Sequence, residues 1–139
     1  MKNIDARVLA LLEKYPWTLA TTDGEEINVI PVMFKTVTPD GRLAIAQVFM
    51  KKTIENIKNN NKVSLSVFDH ETVEGYQIKG VCEYVIEGPI VEKFKQIVDE
   101  KIGATAREHG VTITANGVIL VTPEVITVST PGPENKKEL

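Results

Sequence analysis

Residues 48–63, VFMKKTIENIKNNNKV, contain the change from strand to helix around which the rest of the chain is organised. The pattern predicts a strand over 42–48 and a short helix over 53–59. Lys51 and Lys52 stand just before Thr53, the predicted helix start. The first turn of a helix offers N–H groups without intrahelical partners and a positive dipole end, so this arrangement suits a phosphate group. It also suits a threonine N-cap on a surface helix with two solvated lysines, and the segment by itself favours this second interpretation.

The composition is that of an ordinary globular domain. The chain has 139 residues, of which 42% are hydrophobic and 25% charged, enough for one domain with a real core. A net charge of −3 and a pI near 5.4 argue against nucleic acid as the main partner. The single cysteine, Cys82, excludes an internal disulfide and fits a reducing compartment. Because neither a signal peptide nor a long apolar run is visible, we expect a cytoplasmic protein.

The periodicity predicts mainly β structure. Short turns join most of the strands, and helices serve only as connections, which indicates a closed or nearly closed antiparallel barrel of about six strands. A doubly wound parallel sheet would need regular strand–helix alternation, which is missing. We expect one domain over 1–129 and a disordered polar tail over 130–139. Besides the two elements above, the predicted strands are 17–22, 26–37, 62–69, 74–87 and 118–129, and the predicted helices are 3–15, 89–102 and 104–109.

The predicted strand 26–37 is apolar on both faces. Ile30, Val32 and Phe34 alternate with an equally apolar set at 27, 29, 31 and 33. A small barrel fills only its inside, so a helix, a ligand or a second subunit must cover the other face. We expect a homodimer packed barrel to barrel. Pro31 gives no ladder hydrogen bond, which fits either an ordinary edge strand or a lapse in pairing beside a planar heterocycle.

The sequence contains no recognisable catalytic constellation. His70 and His109 lack metal-ligand spacing with Cys82, and Cys82 falls on an apolar strand face as a small buried hydrophobe. Nucleotide-binding glycine motifs and a nucleophile elbow are missing. The acidic residues form no convergent pair. Any chemistry would therefore come from a bound cofactor.

Seven short segments, in this order and spacing, resemble the FMN-binding split-barrel family that includes pyridoxamine 5′-phosphate oxidase, and in particular its small single-domain members. The resemblance spans roughly residues 17–94, with a looser match in the last strand. The segments are LATTDG at 19–24, IPVMF at 30–34, PDGRL at 39–43, MKKTIENI at 50–57, NKV at 61–63, GYQIKG at 75–80 and EGP at 87–89.

The resemblance implies a six-stranded split barrel that dimerises, with FMN at each end of the subunit interface. Lys52 and Thr53 match the residues that hold the phosphate, and Lys51 adds charge. Gln77 lies on a later strand, from which contacts to the partner subunit's cofactor come. The other matched positions flank the flavin ring: Val29, Ile30, Pro31 and Val32 run along the isoalloxazine, mainly through backbone atoms, and Ala46, Gln47 and Val48 pass its pyrimidine edge, where Gln47 is placed to hydrogen-bond.

The chain also departs from the family pattern. Pyridoxamine phosphate oxidases carry an arginine-rich flavin motif and a basic C-terminal segment, whereas this chain reads AQVFM at 46–50 and ends in TPGPENKKEL. We therefore expect a small FMN-dependent oxidoreductase or electron carrier rather than a true pyridoxamine phosphate oxidase. FMN suits this acidic chain better than a deazaflavin. A flavin- or haem-binding module without turnover and a structural dimer with an empty cleft remain the alternatives.

Overall fold

The computed structural model describes residues 3–139, so the first two residues of the predicted domain lie outside it. It contains seven strands and four α-helices, with a π-helical turn, Asp99–Gly103, between the last two helices. The strands are β1 (Trp17–Thr22), β2 (Ile27–Val32), β3 (Lys35–Val37), β4 (Leu43–Ala46), β5 (Lys62–Phe68), β6 (Gly75–Val85) and β7 (Val118–Val128). The helices are α1 (Ala6–Lys14), α2 (Lys51–Asn59), α3 (Pro89–Val98) and α4 (Ala104–Glu108).

All seven strands form one antiparallel sheet in the order β2-β1-β5-β6-β7-β4-β3. β2 and β3 lie at opposite edges of this order, yet only Met33 and Phe34 separate them along the chain. The two edges must therefore meet at that point, which curls the sheet into a barrel with one unpaired seam. The predicted split-barrel class is confirmed.

The strand count is one higher than predicted because 26–37 is two strands rather than one. β2 pairs with β1 as far as Val32, and the chain then crosses to the other edge, where the carbonyl of Phe34 accepts from the Ala46 amide at 2.9 Å. Alternating apolar residues continue across the crossing, so the sequence carries no signal of the break. Pro31 lies in the edge strand β2, as one of its two interpretations required.

Two apolar clusters support the barrel. The first fills its interior and includes Trp17, Leu19, Leu65 and Ile78, all essentially inaccessible to solvent. The second lies outside β4 and β7, where Phe94 and its neighbours on α3 cover Ala44, Ala46, Val118 and Leu120. Helix α3 therefore covers the outer face of β7, whereas Ile27 and Val29 on β2, and Met33 just after it, stay exposed.

The C-terminal tail differs from the disorder expected of its polar sequence. It turns back beside the second half of β7, which has no β4 partner there. The Val128 amide donates to the Lys137 carbonyl, and the Leu139 amide donates to the Ile126 carbonyl, both at 2.9 Å. Leu139 also packs against the barrel core. The tail thus occupies a strand edge that would otherwise be unpaired.

Candidate functional site

The candidate site is the seam between the open edge of β2 and residues 47–52, which join β4 to α2. Two hydrogen bonds bracket this seam. At one end the Ala46 amide donates to Phe34, and at the other the Asn28 side-chain amide donates to the Thr53 hydroxyl at 3.3 Å. Between these brackets β2 pairs only with β1 in the described residues, so the backbone of 29–33 has one unpaired edge. We call this region the seam cleft.

The seam cleft brings together most of the residues that the sequence predicted for a cofactor. Its first wall is formed by β2 and its second by the end of β4 and the segment that follows. Gln77 is different: it lies on β6, paired with Ser66 and Thr127, three strands away from β2. Within one chain, Gln77 therefore lies away from the seam cleft. The predicted residues on the cleft walls are Val29, Ile30, Pro31, Val32, Ala46, Gln47, Val48, Lys51, Lys52 and Thr53.

Helix α2 begins two residues earlier than predicted. Lys51 and Lys52 are in its first turn rather than before it, Met50 is the N-cap residue, and no side chain caps the helix. The N-cap interpretation of Thr53 is therefore wrong. The sequence could not reveal the early start because Met50 is fixed by burial in the barrel core rather than by a capping side chain. Both lysines are consequently in the first turn of α2, where the helix dipole favours an anion.

Thr53 contributes differently from the prediction. Its side chain is buried, and its hydroxyl oxygen accepts the hydrogen bond from Asn28. Its backbone amide, in the first helical turn, is the group that fits an anion, while the hydroxyl fixes α2 against β2. Asn28 was missed by the sequence prediction. Its only signal was an isolated polar residue within an apolar strand.

Asp23, in the β1–β2 turn, holds one of the two lysines. Its carboxylate lies 3.5 Å from the Lys52 ammonium and accepts backbone hydrogen bonds from Glu26 and Glu25. The hydrogen bond from Glu26, then that from Glu25 and the charge of Lys52 lower the pKa of Asp23. The carboxylate therefore stays charged beside Lys52. The pair holds that ammonium beside the β1–β2 turn, although both side chains remain substantially accessible to solvent.

Gln47 carries an acceptor without a partner. Its backbone is fully used, since its amide donates to Gly117 at 2.9 Å and its carbonyl accepts from Asn116 at 3.0 Å. Its side chain is only 8% exposed, yet Oε1 accepts no hydrogen bond from the described residues. Unsatisfied buried acceptors are uncommon, and each calls for a partner. The pyrimidine edge of a flavin carries an N–H group, which is a donor suited to an unpartnered acceptor such as Oε1.

Asn56, on the buried side of α2, is the second such residue. Its side-chain amide donates to the Thr21 hydroxyl at 3.1 Å, while its Oδ1 has no partner in the described residues. Asn56 is completely buried, so it braces α2 against β1 rather than facing the cleft. Cys82 is half-buried, and burial raises its pKa to about 11, as expected for an inert thiol.

The barrel with one unpaired seam, and an uncapped helix N-terminus beside it, defines a split-barrel protein with a candidate cofactor cleft. The chain belongs to the pyridoxamine 5′-phosphate oxidase family, whose model matches residues 4–129. No curated protein sequence matches the chain significantly. No helix in the described part of the chain has the length and apolar character needed to cross a membrane.

Solved structures with the same fold support this assignment. HupZ of Group A Streptococcus is similar with a TM-score of 0.78 and 21% identity, covering 95% of this chain and 98% of that one. An FMN-binding protein from Syntrophomonas wolfei is similar with a TM-score of 0.69 and 16% identity, covering 91% and 86%. A NimC/NimA family protein from Clostridium acetobutylicum gives 0.63 and 19%, covering 96% and 88%. At these identities the likeness establishes the fold.

Proposed function

We propose that this protein is an FMN-binding flavoprotein that acts as a small oxidoreductase or electron carrier, with one FMN in each seam cleft of a homodimer. The observation that carries the proposal is the uncapped N-terminus of α2, with Lys51 and Lys52 in its first turn, at the end of an unpaired strand edge. Few sites offer amides, ammonium groups and a free backbone edge together. An FMN molecule needs all three, for its phosphate and for its ring.

Each group of the cleft has a distinct role in this proposal. The first-turn amides and the ammonium of Lys52 bind the phosphate, with Lys51 adding charge. The free edge of β2, from Val29 to Val32, lies along the ring. The Gln47 side-chain amide binds the pyrimidine edge, which requires its buried Oε1 to turn towards the ring. The flavin, when bound, supplies hydride or electron transfer, and the chain orients it and limits the access of water.

A second subunit is proposed to complete the site. The outward side chains of β2, together with Met33 just after it, form an apolar stripe, which includes Ile27 at 78% exposure and Met33 at 74%. Such a stripe on an edge strand favours burial against another apolar surface. Burial against a second copy would close the cleft from outside and bring residues such as Gln77 of the other subunit towards the ring. The single half-buried thiol suits a reducing compartment, in line with a cytoplasmic location.

A true pyridoxamine phosphate oxidase activity is not proposed. The segment at 46–50 has no arginine, and the C-terminal segment lies along β7, where the Lys136 amide donates to the Val128 carbonyl. The first of these departures removes the arginine-rich flavin motif that the resemblance associates with those oxidases.

The proposal is tested by identifying what the protein binds. Mass spectrometry of the denatured, as-purified protein should detect FMN, and the folded protein should be yellow. Lys52→Ala should weaken FMN binding. Lys58→Ala serves as the matched control, because Lys58 is an exposed lysine in the last turn of the same helix. Unaltered FMN binding by Lys52→Ala would remove the proposed phosphate site.

Turnover separates the enzyme from a binding module. Steady oxidation of a reduced nicotinamide with an added acceptor favours the oxidoreductase. Tight flavin binding without turnover favours a storage or sensing module. Recovery of haem instead of flavin from the purified protein would contradict the proposed cofactor.

A further inference from the structure

Phe49 combines two unfavourable features at one position. It is 79% exposed to solvent, and its backbone adopts φ = 56°, in the left-handed region. Residues other than glycine and asparagine are uncommon in that region, and bulky ones are rarer still, because their Cβ crowds the following carbonyl oxygen. An exposed aromatic side chain gains nothing from burial within its own chain. The position therefore calls for an explanation outside the isolated fold.

The neighbours of Phe49 explain its backbone but not its side chain. Val48 packs against the outer apolar cluster, whereas Met50 is buried in the barrel interior. The chain must turn between these two anchors, which forces the left-handed conformation and directs the intervening residue outward. Glycine would fit this backbone with less strain. A phenylalanine here is explained by a contact that its side chain makes with another molecule.

The position of Phe49 within the seam cleft identifies that molecule. Phe49 lies two residues after Gln47, whose buried Oε1 lacks a partner, and two residues before Lys51 in the first turn of α2. Since consecutive Cα atoms are about 3.8 Å apart, its Cα is within about 8 Å of both of those Cα atoms. A ligand that spans Gln47 and the helix N-terminus therefore comes within reach of the Phe49 side chain. On the proposed function, that ligand is FMN.

We infer that Phe49 packs against the isoalloxazine ring of the bound flavin and so fixes the ring in the seam cleft. This inference rests on the proposed function. It adds a side chain from residues 47–52, the second wall of the cleft, to the backbone edge of β2 that forms the first wall. The ring would then contact an aromatic residue as well as the backbone edge of β2. Aromatic contacts of this kind are insensitive to the phosphate, because they act only on the ring.

The test compares two flavins that differ only in the phosphate. Phe49→Ala should lower the affinity for FMN and for riboflavin by the same factor, about 5- to 150-fold, as expected for loss of an aromatic stacking partner. Phe49→Trp should restore both affinities. Lys52→Ala should instead lower the affinity for FMN alone. Phe68→Ala is the control, because Phe68 is another exposed phenylalanine, at the end of β5 and two strands from β2, and it should change neither affinity.

A flavin-independent measurement guards against a merely structural effect. Flavin-free Phe49→Gly, which removes the strain and an exposed side chain, should melt no lower than the wild type. Unchanged riboflavin affinity in Phe49→Ala, with FMN affinity still reduced by Lys52→Ala, overturns this inference but keeps the proposed function. Loss of the dimer in Phe49→Ala at unchanged flavin affinity also overturns it, since Phe49 would then serve the other subunit. A wild-type protein that binds neither flavin overturns both.

Discussion

Replacing Lys52 by methionine tests the phosphate site with little disturbance of the fold. Methionine keeps an apolar stem of similar length and removes the charge. In the flavin-free protein the change breaks one ion pair, with the Lys52 ammonium 3.5 Å from Asp23 and the side chains 47% and 30% exposed. Exposed pairs of this kind contribute about 0.2–1 kcal/mol. Asp23 keeps its hydrogen bonds from Glu25 and Glu26, so the free energy of unfolding should fall by less than about 1 kcal/mol.

The loss of FMN affinity should be larger. A hydrogen bond to a charged group contributes about 1.5–3 kcal/mol, which corresponds to a decrease of about 10- to 150-fold in affinity. Riboflavin, which lacks the phosphate, should bind the variant and the wild type equally well. The assay is a titration of flavin fluorescence with both ligands at fixed ionic strength, because salt screens exposed charges. Lys58→Met, at the other end of α2, is the control and should leave both affinities unchanged.

Two results would refute this reasoning. An equal decrease for FMN and riboflavin would mean that Lys52 supports the ring or the fold rather than the phosphate. An equal effect of Lys58→Met would mean that only the overall charge matters, and the N-terminus of α2 would lose its special role.

Three further predictions concern other parts of the molecule. Val29→Glu, on the exposed face of β2, should shift the mass in solution from dimer to monomer. Val111→Glu, at another exposed valine, is the control and should not change the mass. A Val29→Glu protein that stays dimeric would place the interface elsewhere. Gly117→Ala builds a Cβ 2.5 Å from the Tyr84 hydroxyl oxygen, so it should lower the free energy of unfolding by about 1–3 kcal/mol. It should also weaken flavin binding, because the Gly117 carbonyl accepts from the Gln47 amide. An unchanged denaturation midpoint would contradict this prediction. Burial raises the pKa of Cys82 to about 11 from 9.0, so less of the reactive thiolate is present at neutral pH. A thiol reagent should therefore modify Cys82 roughly 100-fold more slowly in the folded than in the unfolded protein. Equal rates would contradict this prediction.

The sequence predicted the architecture because its main signals are local. Alternating apolar residues and turn motifs such as Pro39-Asp40-Gly41 mark the strands, and helical periodicity marks α1 and α3. It could not predict the break of 26–37 into β2 and β3. That break follows from the meeting of two sheet edges, which depends on the whole barrel rather than on residues near Met33.

Tertiary contacts also explain the differences at the site and at the C-terminus. Met50 is buried in the core, so α2 begins at Lys51 and Phe49 takes a left-handed backbone conformation. No pattern in the neighbouring sequence predicts either effect. The tail is polar and contains two prolines, but a free edge of β7 and the packing of Leu139 order it. The pairing of Asn28 with Thr53 likewise joins residues 25 positions apart.

The most direct measurement is a crystal structure of the protein grown with FMN. We expect the phosphate to accept hydrogen bonds from the first-turn amides of α2 and from the Lys52 ammonium, with the ring between β2 and residues 47–49. A structure with the phosphate bound at any other place, and the N-terminus of α2 in contact with solvent only, would contradict the proposed site.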